Sequence, residues 1–230
     1  MTAAYIALEG PDGVGKSTAA AALRERLLRR TPLSDVRIRH FPTDALVRRA
    51  DDGGRRPTAE DYARDMEDWL SSRPEPAPFP DATGGAERLY ILDRWALSAA
   101  VYASLRGEGI PESVALALNR LGRVPLTTFV LMPRRPAELT DPDYPDPDGY
   151  DPRRTTEAYR RFLANASVAG EPSGFAPIVV DRAVDTPESV AAEIAERTAG
   201  LRRRCDRRGP AAATARFEHG VPRNGRREGA

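Results

Sequence analysis

A chain of 230 residues, 40% hydrophobic and 30% charged, is long enough for one α/β domain with a buried core. Its net charge of +1 conceals an imbalance, because residues 202–230 hold nine arginines against Asp206, Glu218 and Glu228, a local +6 that leaves about −5 on the first 201. A body of that sign excludes a nucleic-acid groove, a single cysteine (Cys205) excludes an intramolecular disulfide, and two histidines (His40, His219) leave no zinc constellation.

The chain passes from Met1 straight into a short apolar strand pattern. No basic region precedes a long apolar stretch and no run approaches ~18 apolar residues, so the expectation is a soluble cytoplasmic protein without signal peptide or membrane span. Strand patterns fall at 3–9 (AAYIALE), 35–41, 88–93, 126–132 and 176–181. Helical patterns fall between them at 16–30, 43–50, 58–73, 95–106, 111–121, 153–169 and 186–204. Apolar strands separated by helices imply a five-stranded parallel sheet covered on both faces, whose ligands sit at the carboxyl ends of the strands. Residues 1–201 are expected to form this domain, with a lid-like loop at 140–152. Residues 202–230 read as a basic, disordered tail.

Between the first strand and the first helix stands Gly10-Pro11-Asp12-Gly13-Val14-Gly15-Lys16-Ser17, a full G-x-x-x-x-G-K-[ST] match followed by Thr18. Such a loop curls its backbone N–H groups around a phosphate at the positive end of a helix. Lys16 is the only lysine in a chain that otherwise uses arginine, so this position requires a compact ammonium. Residues 10–18 are the candidate ATP-binding set, with Lys16 on the β- and γ-phosphates and Ser17 as a ligand of Mg²⁺.

The third strand runs into "LDRWALSAAVY". Asp93 is placed to hold Mg²⁺ or its water, or to orient Arg94, and Arg94 to fork onto a phosphate. Ser98 and Tyr102, four apart on one helix face, are candidates for an acceptor pocket. Phe41, in "RHFPTD" at the end of the second strand, is a candidate wall for a planar ring.

In order and spacing, "YIALEGPDGVGKST", "HFPT", "DRWALSAAVY" and "APIVVD" resemble the thymidylate kinase family of nucleoside monophosphate kinases over roughly residues 3–198. The resemblance implies a three-layer P-loop fold with a five-stranded parallel sheet, γ-phosphoryl transfer from ATP to dTMP with Mg²⁺, and a homodimer. It further implies Asp12 near the acceptor's sugar and the metal, Arg94 on the acceptor phosphate, Phe41 and Tyr102 against base and sugar, and Arg182 to Asp185 by the adenine.

The match has three departures. Neither the loop interior (Pro11 to Val14) nor the stretch from Ala137 to Pro152, with five aspartates, holds the family's arginine for the transferring phosphoryl group. Arg134, Arg135, Arg153 and Arg154 flank that gap. The family's base-reading helix is not recognisable in "DYARDMEDWLSSR", where Arg64, Asp65 and Trp69 are alternatives to an ordinary amphipathic helix. Ala99 stands where a polar residue usually faces the pyrimidine. The acceptor therefore stays open among dTMP, another pyrimidine deoxynucleotide, a nucleoside and a small phosphorylated metabolite, beside a non-catalytic ATP-binding module. Trp95 after Arg94 favours a monophosphate. In "DPDYPDPDGYD", Tyr144 and Thr155 occupy the first and closing positions of a calcium loop, which makes the stretch a solvated lid instead.

Overall fold

Five parallel strands in the order β2-β3-β1-β4-β5 form the centre of the structure, a computed structural model that describes residues 3–30, 33, 35–46, 48, 56–73, 88–125, 127–139, 151–168 and 175–208. They are β1 (Ala3–Glu9), β2 (Asp35–His40), β3 (Arg88–Asp93), β4 (Thr127–Pro133) and β5 (Phe175–Val180). Every residue of β1 and β4 is buried, the reason both read as continuous apolar runs. The helices are α1 (Lys16–Arg30), α2 (Ala59–Ser71), α3 (Ala96–Leu105), α4 (Glu112–Gly122), α5 (Pro152–Val168) and α6 (Pro187–Arg208).

Alternation along β1 divides the core into two layers. Ala4, Ile6 and Leu8 point to the face covered by Leu23 and Leu27 of α1 and by Val190 and Ile194 of α6. Ala3, Tyr5 and Ala7 point to the opposite face, under α2, α3 and α4. An aromatic group fills this second layer: Trp69 meets Tyr90 at 5.3 Å, Phe41 at 5.5 Å and Trp95 at 6.3 Å, each edge to face. Such pairs contribute about 0.5–1.5 kcal/mol each beyond burial and fix ring orientation. Tyr159 of α5 joins α3 and β4 in a third cluster with Val101 and Val130.

The strand positions agree with the sequence reading to within a residue at either end, and α6 runs four residues beyond the expected end, to Arg208. Residues 44–46 and 48 are helical within the expected 43–50, whose remainder is in part outside the described residues. The loop 140–150 and residues 209–230 also lie outside them. The chain divides into two compact units, Met1–Ala195 and Glu196–Ala230, and the site described below belongs wholly to the first.

Register and connectivity place the site. Leu8 and His40 both pair with Asp93, so the carboxyl ends of β1, β3 and β2 finish side by side. From adjacent strands, α1 leaves β1 toward one face and α3 leaves β3 toward the other, which opens a crevice between them.

Candidate active site

The phosphate loop turns tightly because its glycines take backbone conformations that other residues avoid, with φ 136° at Gly10 and 74° at Gly13. Both also allow close approach. A Cβ at Gly10 would run into the Leu131 carbonyl oxygen, and one at Gly13 would lie 2.8 Å from that of Leu139, at the end of the 3₁₀ turn Pro136–Leu139. Lys16 is 5% exposed, and its Nζ donates to the carbonyl oxygens of Gly10 at 2.9 Å and Pro11 at 2.6 Å. Burial lowers its pKa from 10.5 to about 8, while Asp93 and Glu9 pull the other way.

The two proposed metal ligands come together although they are 76 residues apart: Ser17 Oγ donates to Asp93 Oδ2 at 2.5 Å. His40 Nδ1 meets the same oxygen at 2.7 Å from the side, with its ring largely exposed. Asp93 itself is buried. A hydroxyl and one carboxylate are hard oxygen donors that suit Mg²⁺, which keeps waters and substrate phosphates for its other positions. Among the described residues no group of three or more His, Cys, Asp or Glu is placed to hold a metal ion.

Arg94, the expected acceptor-phosphate ligand, follows β3 in a left-handed conformation, φ 67°. Its guanidinium pairs with the Asp12 carboxylate and lies 5.3 Å over the Tyr102 ring, while the Tyr102 hydroxyl donates to Asp12 at 2.5 Å. Burial disfavours the guanidinium charge, but Tyr102, Tyr159 and Glu9 more than offset this, and the pKa lies above the ordinary arginine value. A cleft of about 480 Å³ runs from this point along residues 12–19 to Arg182, Asp185, Thr186 and Pro187 beyond β5. The loop expected beside the donor's base thus shares one cleft with the phosphate loop.

Other candidates lie elsewhere. Phe41 is 2% exposed and forms part of the aromatic core, not the cleft surface, because Trp95 and Trp69 take its ring edge to face. Ser98 is buried, its hydroxyl donating to Glu9 and lying 2.8 Å from the Tyr159 hydroxyl. The three base-reading candidates have structural partners: Arg64 pairs with Glu60, Trp69 is core, and Asp65 accepts from the Thr43 amide at 2.9 Å and hydroxyl at 2.6 Å. Arg134 and Arg135 lie at 3.2 and 3.8 Å from Asp181. Arg153 and Arg154 are exposed on the first turn of α5.

Sequence reasoning missed Glu9, Tyr159 and the part played by His40. Glu9 is 0% exposed and its pKa is raised by burial, against the pull of Ser98, Arg94 and Lys16. Tyr159 is buried, which raises its pKa well above the usual phenol value. A buried carboxylate ending a strand next to the glycine loop was the one available signal for Glu9; nothing in the local sequence marks Tyr159.

No protein-family model matches the sequence, and no curated protein matches it. Solved structures do. The thymidylate kinase of Ehrlichia chaffeensis superposes with a TM-score of 0.55 at 17% identity, over 84% of this chain and 96% of that one. A thymidylate kinase of Candida albicans, described as having broad substrate specificity and a novel structural element, superposes at 0.57 and 17% identity, over 87% and 93%. Across most of its length, the chain has the fold of these two thymidylate kinases.

Proposed function

We propose that this protein transfers the γ-phosphoryl group of ATP to a nucleoside monophosphate, with dTMP or a related pyrimidine deoxynucleotide as acceptor. The observation that carries this reading is the meeting of three groups in one crevice. The phosphate loop with its lysine, Ser17 bonded to the buried Asp93, and Arg94 come from different segments, and Lys16, Ser17 and Arg94 line one cleft. A donor polyphosphate fits the loop, and its base fits toward Arg182 and Asp185. An acceptor phosphate fits Arg94, which then exchanges Asp12 for a second anion.

Phosphoryl transfer requires in-line positioning and charge stabilisation more than covalent help from the protein. In this reading Lys16 holds the β- and γ-phosphates, the loop amides orient them, and Arg94 presents the acceptor. Ser17 and Asp93 would hold Mg²⁺, which when bound neutralises charge developing between the β- and γ-oxygens. Trp95, packed at 4.9 Å against Phe41, supports the crevice from below. A homodimer and a cytoplasmic location belong to the same proposal, since both follow from the family resemblance and the composition.

The test is an ADP-release assay with ATP, Mg²⁺ and a panel of nucleoside monophosphates led by dTMP and dUMP, with thymidine as control. Turnover on dTMP is expected. Turnover on thymidine alone would sink the monophosphate reading, and so would silence across the panel with ATP still bound, which would favour another acceptor or a non-catalytic ATP-binding module.

A further inference from the structure

Glu9 ends β1 and has no exposed surface, yet a carboxylate so placed requires a partner for every oxygen. Its Oε1 accepts the backbone N–H groups of Trp95 at 3.0 Å, Leu97 at 3.0 Å and Ser98 at 3.2 Å, and its Oε2 accepts the Ser98 hydroxyl. Those amides are the orphan donors at the start of α3. The N-cap residue of that helix, Trp95, offers no side-chain acceptor, so the cap comes from a strand 86 residues earlier.

Between β3 and this cap stands Arg94. Non-glycine residues persist at positive φ only where their surroundings over-determine them. Here the Arg94 amide donates to the Leu8 carbonyl at 2.9 Å, and the next amide, Trp95, is held by Glu9. Both flanks of the unusual conformation are therefore fastened to consecutive residues of β1. The residue after Glu9 is Gly10, the first of the phosphate loop, so the strand that leads into the donor loop also carries the side chain that holds the acceptor segment.

We infer that Glu9 is a positioning residue for phosphoryl transfer: by capping α3 from β1, it holds Arg94 in the left-handed conformation that aims its guanidinium into the crevice at Asp12. Ser98 extends the hold to α5 through Tyr159. The inference rests on the proposed role of Arg94 as the acceptor-phosphate ligand.

Two variants and one double variant test it in the full chain. Glu9→Ala removes every acceptor, whereas Glu9→Gln keeps one carbonyl oxygen for the three amides and folds even if the alanine form does not. With dTMP, ATP and Mg²⁺, Glu9→Ala is expected to raise the KM for dTMP on the order of 10- to 100-fold, with ATP affinity within about two-fold. Glu9→Gln stays within about three-fold of wild type in both. In an Arg94→Ala background, Glu9→Ala should add less than about two-fold to the dTMP KM. Additive effects, or equal losses for dTMP and ATP, would reduce Glu9 to general stability and overturn the inference. So would a Glu9→Gln variant as impaired for dTMP as Arg94→Ala. If the wild type fails to use dTMP, the functional reading has failed, and an independent readout still decides the positioning. The Arg94 Nε–H resonance in ¹⁵N-labelled protein should be present in wild type and Glu9→Gln, and broadened or shifted in Glu9→Ala. An unchanged signal in Glu9→Ala would overturn it.

Discussion

Lys16 spends both of its described hydrogen bonds on carbonyl oxygens of its own loop. Those bonds hold an ammonium that burial has made easier to deprotonate. With a folded pKa of about 8 and an ordinary value of 10.5, the unfolded chain binds a proton between these limits that the folded chain lacks. The contribution of Lys16 to stability therefore rises with pH across that window and is least favourable below it. A polyphosphate beside the ammonium favours the charged form again. ATP binding at pH near 8.5 should thus take up on the order of half a proton or more, and at pH near 6.5 none from this group. Calorimetry in buffers of different ionisation heat reads the difference, and Lys16→Met should abolish it. Uptake that survives the substitution would place the titrating group elsewhere. Lys16 was legible in the sequence because a single lysine stood in an unbroken motif. Glu9 was not, since its partners are amides 86 to 89 residues away that no side-chain pattern announces.

Among the elements, the strands were the most legible and α2 the least. Burial on both faces leaves a strand little choice but a continuous apolar run. The pattern of α2 revealed its buried stripe, Ala59, Ala63, Met66 and Trp69, but not what each polar residue would touch. Asp65 shows the difficulty: its partner is Thr43, 22 residues earlier, in the segment after β2. The start of α2 is fixed by a capping box, in which Thr58 accepts from the Asp61 amide at 3.3 Å and Asp61 accepts from the Thr58 amide at 2.9 Å. Thr58→Ala should cost about 1 kcal/mol of stability, seen as a lower urea midpoint with unchanged slope. Thr58→Ser should recover most of it. An unaffected midpoint would mean that the first turn contributes nothing to the packing of the aromatic layer.

For the whole molecule, the proposed transfer requires positive charge beside the moving phosphoryl group. The sequence places about −5 on the first 201 residues, and the loop interior carries no basic side chain. Arg94 is already paired with Asp12, and Arg134 and Arg135 lie at Asp181. Arg153 and Arg154 stand exposed where α5 begins, and in the proposed reaction this pair is the expected source of that charge. Replacing both by alanine should lower kcat by about 10³-fold with ATP affinity little changed, because an arginine of this kind acts on the transition state. A matching loss from Arg134→Ala instead, with the pair dispensable, would refute the assignment. The sequence could place these four arginines beside the gap but not choose among them, since the choice depends on which of them reaches the transferring group in the folded chain.

Asp93 Oδ2 accepts from Ser17 and meets the His40 ring, which is largely exposed. The chain has two histidines, and the other, His219, lies far along the sequence in the basic tail. His40 is therefore a native spectroscopic label, one imidazole in contact with the oxygen that would bind the metal and open to solvent on its other side. Its ring resonances offer a view of occupancy at that oxygen in unmodified protein, before any turnover is measured.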